Sequence, residues 1–165
     1  MTERKNKRKF LKAGEVFISQ EGYEITTILG SCVSVCLWDT KLGIGGMNHY
    51  LLPLWNGEGL SSPRYGNIAI KKLIQKMESL GCRRKDLVAK VFGGASVLQH
   101  GGKGYLEVGQ RNIVIAKDML KEEKIRVISS DVDGELGRKI IFDTADGGVM
   151  VKMVQPMKKA MASVR

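Results

Sequence analysis

Two cysteines stand four residues apart in the segment TILGSCVSVCLWDT, residues 27–40. Cys32 follows Gly30 and Ser31, whereas Cys36 lies inside an apolar run. A cysteine attacks a carbonyl carbon when its thiol is accessible, a base takes its proton and backbone N–H groups hold the oxyanion. Gly30 permits the unusual backbone of a tight turn, and amides at such a turn are not committed to a sheet. Cys32 is therefore a candidate nucleophile that needs a base.

His49 is the base that the chain offers, 17 residues after Cys32. Residues 33–38 and 44–52 read as an antiparallel pair of strands, which would bring the start of the first close to the end of the second. A cysteine in an apolar setting is also often structural. The local pattern alone leaves both interpretations of Cys32 open.

The other cysteines and the second histidine show no comparable pattern. Cys36 sits between Val35 and Leu37, where a thiol behaves as a small hydrophobic side chain. Cys82 follows the glycine that ends a predicted helix, and His100 lies in a glycine-rich segment. We interpret Cys36 as structural, Cys82 as incidental and His100 as a loop residue.

The cysteines comprise one C-x3-C pair and an isolated Cys82, and the chain has two histidines. This arrangement does not match the spacing of a structural zinc site. They fit reduced thiols in a reducing compartment. The chain also lacks the glycine motifs of a P-loop or a dinucleotide site. We expect no metal and no organic cofactor.

The net charge of +10 would suit a nucleic-acid-binding module, but its distribution argues against one. Residues 1–14 carry six Lys or Arg against one Glu, and residues 152–165 carry four with no acidic residue, which leaves the body near neutral. We therefore predict a basic flexible tail at 1–12, a domain at 13–155 and a basic tail at 156–165. No run long enough to span a bilayer and no secretory signal is found, so a cytoplasmic location is expected.

The remaining pattern predicts a layered α/β fold, a sandwich of mixed, largely antiparallel sheet with two main helices packed outside in a single domain. Helices are predicted at 67–81, capped by Asn67 and ended by Gly81, and at 109–124. Residues 54–65 are rich in turn formers and are expected to form an exposed loop beside the site. The predicted strands cover residues 13–29, 33–38, 44–52, 86–94, 125–131, 138–145 and 149–155.

Four segments in order, TTILGSCVSVCLWD, GGMNHYLLP, KVFGGA and VGQRNI, closely resemble the CheD family of chemoreceptor glutamine deamidases. The resemblance covers roughly residues 14–155. It implies that Cys32 is the nucleophile, His49 the base and Thr26, six residues before the cysteine, the group that orients the histidine. The neighbouring Thr27 is not the matching position. Ser31 is interpreted as part of the turn and not as a nucleophile.

The resemblance also implies a reaction and its partners. The thiolate, its pKa lowered by the paired imidazole, would attack a glutamine side chain of a methyl-accepting chemotaxis receptor, releasing ammonia through a thioester. Backbone amides of Ser31 and Cys32 would hold the oxyanion, and a CheC-type phosphatase would be a docking partner. The alternatives are the nucleic-acid-binding module and a non-catalytic adaptor that only holds the phosphatase. Retention of Cys32, His49 and Thr26 argues against the adaptor.

Overall fold

The computed structural model describes residues 6–96 and 103–155. Within them lie nine strands, two α-helices and one turn of 3-10 helix at Arg84–Asp86. The strands are β1 (Lys7–Phe10), β2 (Val16–Ser19), β3 (Tyr23–Leu29), β4 (Val33–Asp39), β5 (Gly45–Asn48), β6 (Leu87–Gly93), β7 (Arg126–Val132), β8 (Gly137–Asp143) and β9 (Val149–Val154). The helices are α1 (Gly66–Ser79) and α2 (Lys103–Glu122).

The strands form two sheets, one of five strands in the order β2-β5-β4-β6-β7 and one of four in the order β1-β3-β8-β9. Pairing is antiparallel except between β6 and β7 and between β1 and β3. Both helices pack on the five-stranded sheet. The predicted fold class is therefore confirmed as an α/β sandwich with the helices outside.

Strand β4 lies at the centre of the five-stranded sheet, and its alternation divides the core in two. Val33, Val35 and Leu37 belong to the cluster shared with the helices. Cys36 belongs to the cluster packed between the two sheets. Because alternate residues of a strand point to opposite faces, this is the division that the sequence predicts for residues 33–38.

The prediction of a flexible tail at 1–12 is wrong for residues 7–12. Strand β1 pairs with β3 over Lys7–Phe10, and Leu11 is fully buried. The side chains of β1 are mostly exposed, so its backbone joins the sheet while its basic groups stay in water. Charge composition reveals the solvated side chains but not the backbone pairing. Residues 1–5 and the tail predicted at 156–165 lie outside the described residues.

The two helices differ in detail from the prediction. Tyr65, not Asn67, is the residue before the first turn of α1, and the Asn67 side chain instead accepts a hydrogen bond from the Trp55 amide at 3.0 Å. The expected end at Gly81 fits its φ of +95°, a left-handed conformation that glycine adopts without strain. Helix α2 begins at Lys103, six residues before the predicted start. Strand β5 is shorter than predicted and ends at Asn48.

Candidate active site

The candidate site lies where β4 begins, and the strand register places Cys32 and His49 on one face. Val33 and Tyr50 form a bridge through two hydrogen bonds, of 3.1 Å from the Val33 amide and 3.0 Å from the Tyr50 amide. This register sets Ser34 opposite His49, and paired residues point to the same face. Cys32 is two residues before Ser34 and packs against the cluster between the sheets, so it shares that face as a diagonal neighbour of His49. The predicted antiparallel arrangement is confirmed.

The loop before Cys32 connects β3 in one sheet to β4 in the other, and the Gly93–Gly94 turn holds its carbonyl groups. The Gly94 amide donates to the Cys32 carbonyl at 2.9 Å, and the Ala95 amide donates to the Gly30 carbonyl at 3.0 Å. A Cβ atom on Gly93, whose φ is +108°, would overlap the Cys32 carbonyl oxygen. The glycine pair of KVFGGA therefore supports the nucleophile's backbone.

His49 is 6% exposed, and its ring is held by Thr27. The Thr27 Oγ1 atom lies 2.7 Å from His49 Nδ1 and also 2.7 Å from the Leu11 carbonyl oxygen. The carbonyl can only accept, so the single hydroxyl proton of Thr27 is donated to Leu11. Thr27 must then accept from Nδ1–H, which leaves the Nε2 lone pair of His49 available for the proton of a thiol.

The expectation that Thr26 orients His49 is contradicted by these contacts. Ile25, Thr27 and Leu29 are fully buried toward the second core, whereas Thr26 lies on the opposite face of β3 with the half-exposed Ile28. The Thr26 carbonyl is also engaged, because it accepts from the Leu11 amide at 2.8 Å. A strand turns adjacent residues to opposite sides, so only one of the two threonines can face the histidine.

Burial sets the protonation of both groups at neutral pH. It lowers the pKa of His49 to about 4. Burial also raises the pKa of the Cys32 thiol, and the residue's own backbone N–H offsets this only in part. The expected lowering of the thiol's pKa is thus not found in the resting protein. At pH 7 the resting pair is a neutral thiol beside a neutral imidazole.

The backbone amides of Ser31 and Cys32 are the expected donors to an oxyanion. Within residues 6–96 and 103–155, neither amide donates to a protein acceptor. Their carbonyl neighbours are engaged, since Gly30 accepts from Ala95 and Ser31 accepts from the side chain of Asn112 at 2.9 Å. Both peptide groups are thereby held at their carbonyl ends, and an anionic tetrahedral intermediate requires fixed donors of this kind.

Asn112 of α2 belongs to the site, although the sequence analysis gave it no role. Its Nδ2 atom donates to the Ser31 carbonyl at 2.9 Å and to the Leu51 carbonyl at 3.0 Å. Asn112 lies four and eight residues before the buried Ala116 and Leu120. A polar residue on the buried stripe of a helix is the signal that could have identified it.

A groove of about 810 Å³ opens beside Cys32. Its walls are mostly apolar, with one guanidinium, and part of them comes from the exposed loop at 54–65, as predicted. The lining residues are Ser31, Cys32, Leu51, Leu52, Leu60, Ser62, Arg64, Tyr65 and Val108. A groove of this volume next to a partly exposed thiol has room for a segment of polypeptide.

The remaining cysteines lie in closed surroundings. Cys36 is 1% exposed, and burial raises its pKa far above the usual range of a thiol. Burial, followed by contact with Asp39, raises the pKa of Cys82 to about 12. Neither thiol is poised to react, as predicted for Cys36. His100 lies outside the described residues.

The fold and the site define a class. It is an α/β sandwich with a thiol at the start of a central strand and, on the same face, an imidazole held by a hydroxyl. Residues 51–153 match the family described as CheD chemotactic sensory transduction. The chain belongs to the CheD family. Among the helices of the described residues, none is long and apolar enough to cross a membrane.

Relatives extend this match over most of the chain. A protein of Sulfurimonas denitrificans, named probable chemoreceptor glutamine deamidase CheD, is 51% identical over 90% of this chain and 95% of its own length. A protein of the same name from Trichlorobacter lovleyi is 49% identical over 86% of this chain and 88% of its own. A protein of Anaeromyxobacter dehalogenans, named probable chemoreceptor glutamine deamidase CheD 1, is 43% identical over 88% of this chain and 84% of its own length.

Proposed function

We propose that this protein is a cysteine-dependent protein-glutamine deamidase that converts glutamine side chains of methyl-accepting chemotaxis receptors to glutamate. The names of the relatives supply the reaction and the class of substrate. The observation that carries the mechanism is the chain of contacts from Leu11 through Thr27 to His49 Nδ1, because it leaves Nε2 as the proton acceptor. The groove beside Cys32 supplies room for the substrate.

In the first half of the reaction, Cys32 Sγ attacks the carboxamide carbon of the bound glutamine. His49 Nε2 takes the thiol proton as the sulfur–carbon bond forms. The carboxamide oxygen becomes an oxyanion, held by the amides of Ser31 and Cys32. Loss of one such donor typically costs about 100-fold to 1,000-fold in kcat.

Collapse of the tetrahedral intermediate breaks the carbon–nitrogen bond. The imidazolium of His49 gives its proton to the leaving nitrogen, and ammonia departs from a γ-glutamyl thioester. His49 then takes a proton from water, whose oxygen attacks the thioester carbon through a second oxyanion. The sulfur leaves and recovers its proton, so the product is glutamate and the enzyme is unchanged.

Because His49 is buried, it is neutral at rest, which suits a base that takes up a proton only during the reaction. A free imidazolium would be poorly solvated beside the second core, so proton transfer and attack on the carbon proceed together. As the proton reaches His49, the developing oxyanion and the hydroxyl of Thr27 stabilise the charged ring. Acid–base assistance of this kind is worth about 100-fold to 10,000-fold.

The substrate segment would lie in the groove with apolar side chains against Leu51 and Leu52. Leu60 is almost fully exposed and Arg64 is exposed, so both are available to a docked partner. This suits a receptor segment with apolar and acidic residues near the target glutamine. A receptor substrate and a CheC-type phosphatase partner would both place the enzyme in the cytoplasm.

The test is incubation of the protein with a cytoplasmic receptor fragment, followed by peptide mass spectrometry. Each converted glutamine gains about one dalton, the difference between an amide and an acid. The wild-type protein should convert specific glutamines, and Cys32→Ala should convert none. Cys36→Ala is the matched control and should convert the same glutamines at the wild-type rate. Equal conversion by wild type and Cys32→Ala, or none by wild type, would overturn the proposal.

A further inference from the structure

We propose that Asn112 is a positioning residue that sets the direction of the Cys32 amide N–H, the oxyanion donor of the function proposed above. The inference rests on that function and adds a residue to it. Asn112 does not touch the thiol or the imidazole in any hydrogen bond found among the described residues. It acts on the peptide group that joins Ser31 to Cys32.

The planar peptide group links the carbonyl that Asn112 holds to the N–H that it orients. The Ser31 carbonyl and the Cys32 N–H belong to one planar trans unit and point in opposite directions. Asn112 Nδ2 holds that carbonyl at 2.9 Å, toward α2. The N–H is thereby directed away from α2, and it lies near enough to the residue's own sulfur to affect its pKa. Rotation of this peptide would remove the donor from the site.

The same amide group also contacts the segment that follows the base. Its second proton goes to the Leu51 carbonyl at 3.0 Å, two residues after His49. Both Nδ2 hydrogens are thus used on the two chain segments that supply the nucleophile and the base. The spacing between these segments does not depend on Asn112, because the Val33–Tyr50 bridge sets their register.

Helix α2 is a firm support for this contact. The Tyr50 hydroxyl donates to the Asn112 carbonyl at 2.6 Å. A Cβ on Gly109 would lie 2.6 Å from the Gly94 carbonyl oxygen, so the helix approaches the glycine turn at backbone distance. The Asn112 side chain therefore extends from a fixed backbone position.

A purely structural role does not account for the amide. Asn112 is fully buried on an apolar stripe, and within the described residues its Oδ1 atom accepts no hydrogen bond. A buried polar atom without a partner costs stability. An apolar side chain would avoid that cost and would fill the space, but it would leave the Ser31 carbonyl unheld.

The test uses Asn112→Asp, which keeps the shape of the side chain and removes both donors. Two rates are measured on each protein, glutamine deamidation of a receptor fragment and alkylation of Cys32 by iodoacetamide. Alkylation displaces iodide at a saturated carbon and forms no oxyanion, so it reports the thiol and its base alone. Gln110→Ala is the control on the same helix, because it removes a side-chain hydrogen bond to Asp133 and leaves the Ser31 carbonyl held.

We expect Asn112→Asp to lower kcat about 100-fold with little change in KM, the loss typical of one oxyanion donor. The alkylation rate and its pH profile should stay at the wild-type values, and Gln110→Ala should keep the wild-type kcat. If Asn112→Asp does not fold, as judged by its thermal transition, Asn112→Ala is measured in its place.

Two results would overturn the inference. A variant that deamidates at the wild-type rate would show that the peptide needs no support from Asn112. A fall in both rates together would show that Asn112 only holds the loop in place. Failure of the wild-type protein to deamidate would instead overturn the proposed function, so the two failures are distinguishable.

Discussion

The two faces of β4 form an instructive comparison, because one strand contributes alternate residues to two different interiors. The face toward the helices is apolar throughout, with Val33, Val35 and Leu37 fully buried. The face toward the second sheet continues from Cys36 to Ser34 and then to Cys32 at the groove. The nucleophile of the proposed function lies on this second face.

The difference shows what each interior requires. The helix-facing core needs volume and shape, which many apolar residues can supply. The sheet-facing interior holds polar groups whose relative positions matter, and it tolerates a cost for them. Ser34 is fully buried, and its hydroxyl has no partner within the described part of the chain. The polar side chains of β4 therefore lie on the face toward the second sheet.

The largest expected effect distinguishes Cys32, in the loop before β4, from Cys36, within the strand. Cys32→Ala should reduce deamidation below detection, at least 1,000-fold, because the nucleophile is gone. Cys36→Ala should keep the activity and cost about 1 kcal/mol of stability, since only a small buried group is lost. Initial rates by mass spectrometry and urea unfolding measure the two effects. Loss of activity in Cys36→Ala would mean that chemistry is not confined to the groove end of this face.

The next effect is a pH dependence of stability due to His49. Its pKa of about 4 in the folded protein lies below the ordinary 6.5, so the unfolded chain binds more protons between those values. Stability should therefore fall as pH drops from 6.5 toward 4, by on the order of 3 kcal/mol. Urea unfolding of wild type and His49→Gln at several pH values measures the difference. Parallel curves for the two proteins would contradict the burial of a neutral His49.

A smaller effect distinguishes the adjacent threonines of β3. Thr27→Val removes the acceptor for His49 Nδ1–H at nearly constant shape. The loss of an orienting partner of this kind typically costs about 10-fold to 100-fold in activity. Thr26→Val, on the opposite face, should retain the wild-type kcat. The kcat of each variant tests the assignment, and a larger loss in Thr26→Val would restore the original expectation.

The threonines also show how far the sequence could predict the site. Alternation within residues 33–38 assigns each side chain of β4 to a face, and the antiparallel pair brings His49 toward Cys32. This alternation cannot be continued from Cys32 back to Thr27, because Gly30 and Ser31 lie in the loop that joins the two sheets and not in a strand. The pairing of β3 with β8 fixes which threonine is buried, and this is a contact across the chain.

Asn112 had a local signal, but its partners and the pairing of β1 were beyond prediction for the same reason. The hydrogen bonds of Asn112 join positions 61 and 81 residues apart, so no local pattern contains them. Strand β1 gains its place from backbone pairing with β3, while its side chains keep the composition of a solvated tail. Local periodicity predicts faces, whereas contacts between distant segments decide which polar groups meet.

The smallest expected effect lies on the helix-facing side. Ile70 of α1 is fully buried in the cluster shared with β4. Ile70→Val removes one methylene and should cost about 1 kcal/mol of unfolding free energy, because the neighbouring side chains close the space only in part. The site is on the other face of the sheet, so kcat, KM and the alkylation rate of Cys32 should stay at the wild-type values. A change in kcat would show that packing under the helices is transmitted through β4 to the thiol, and the division between the two faces would then fail.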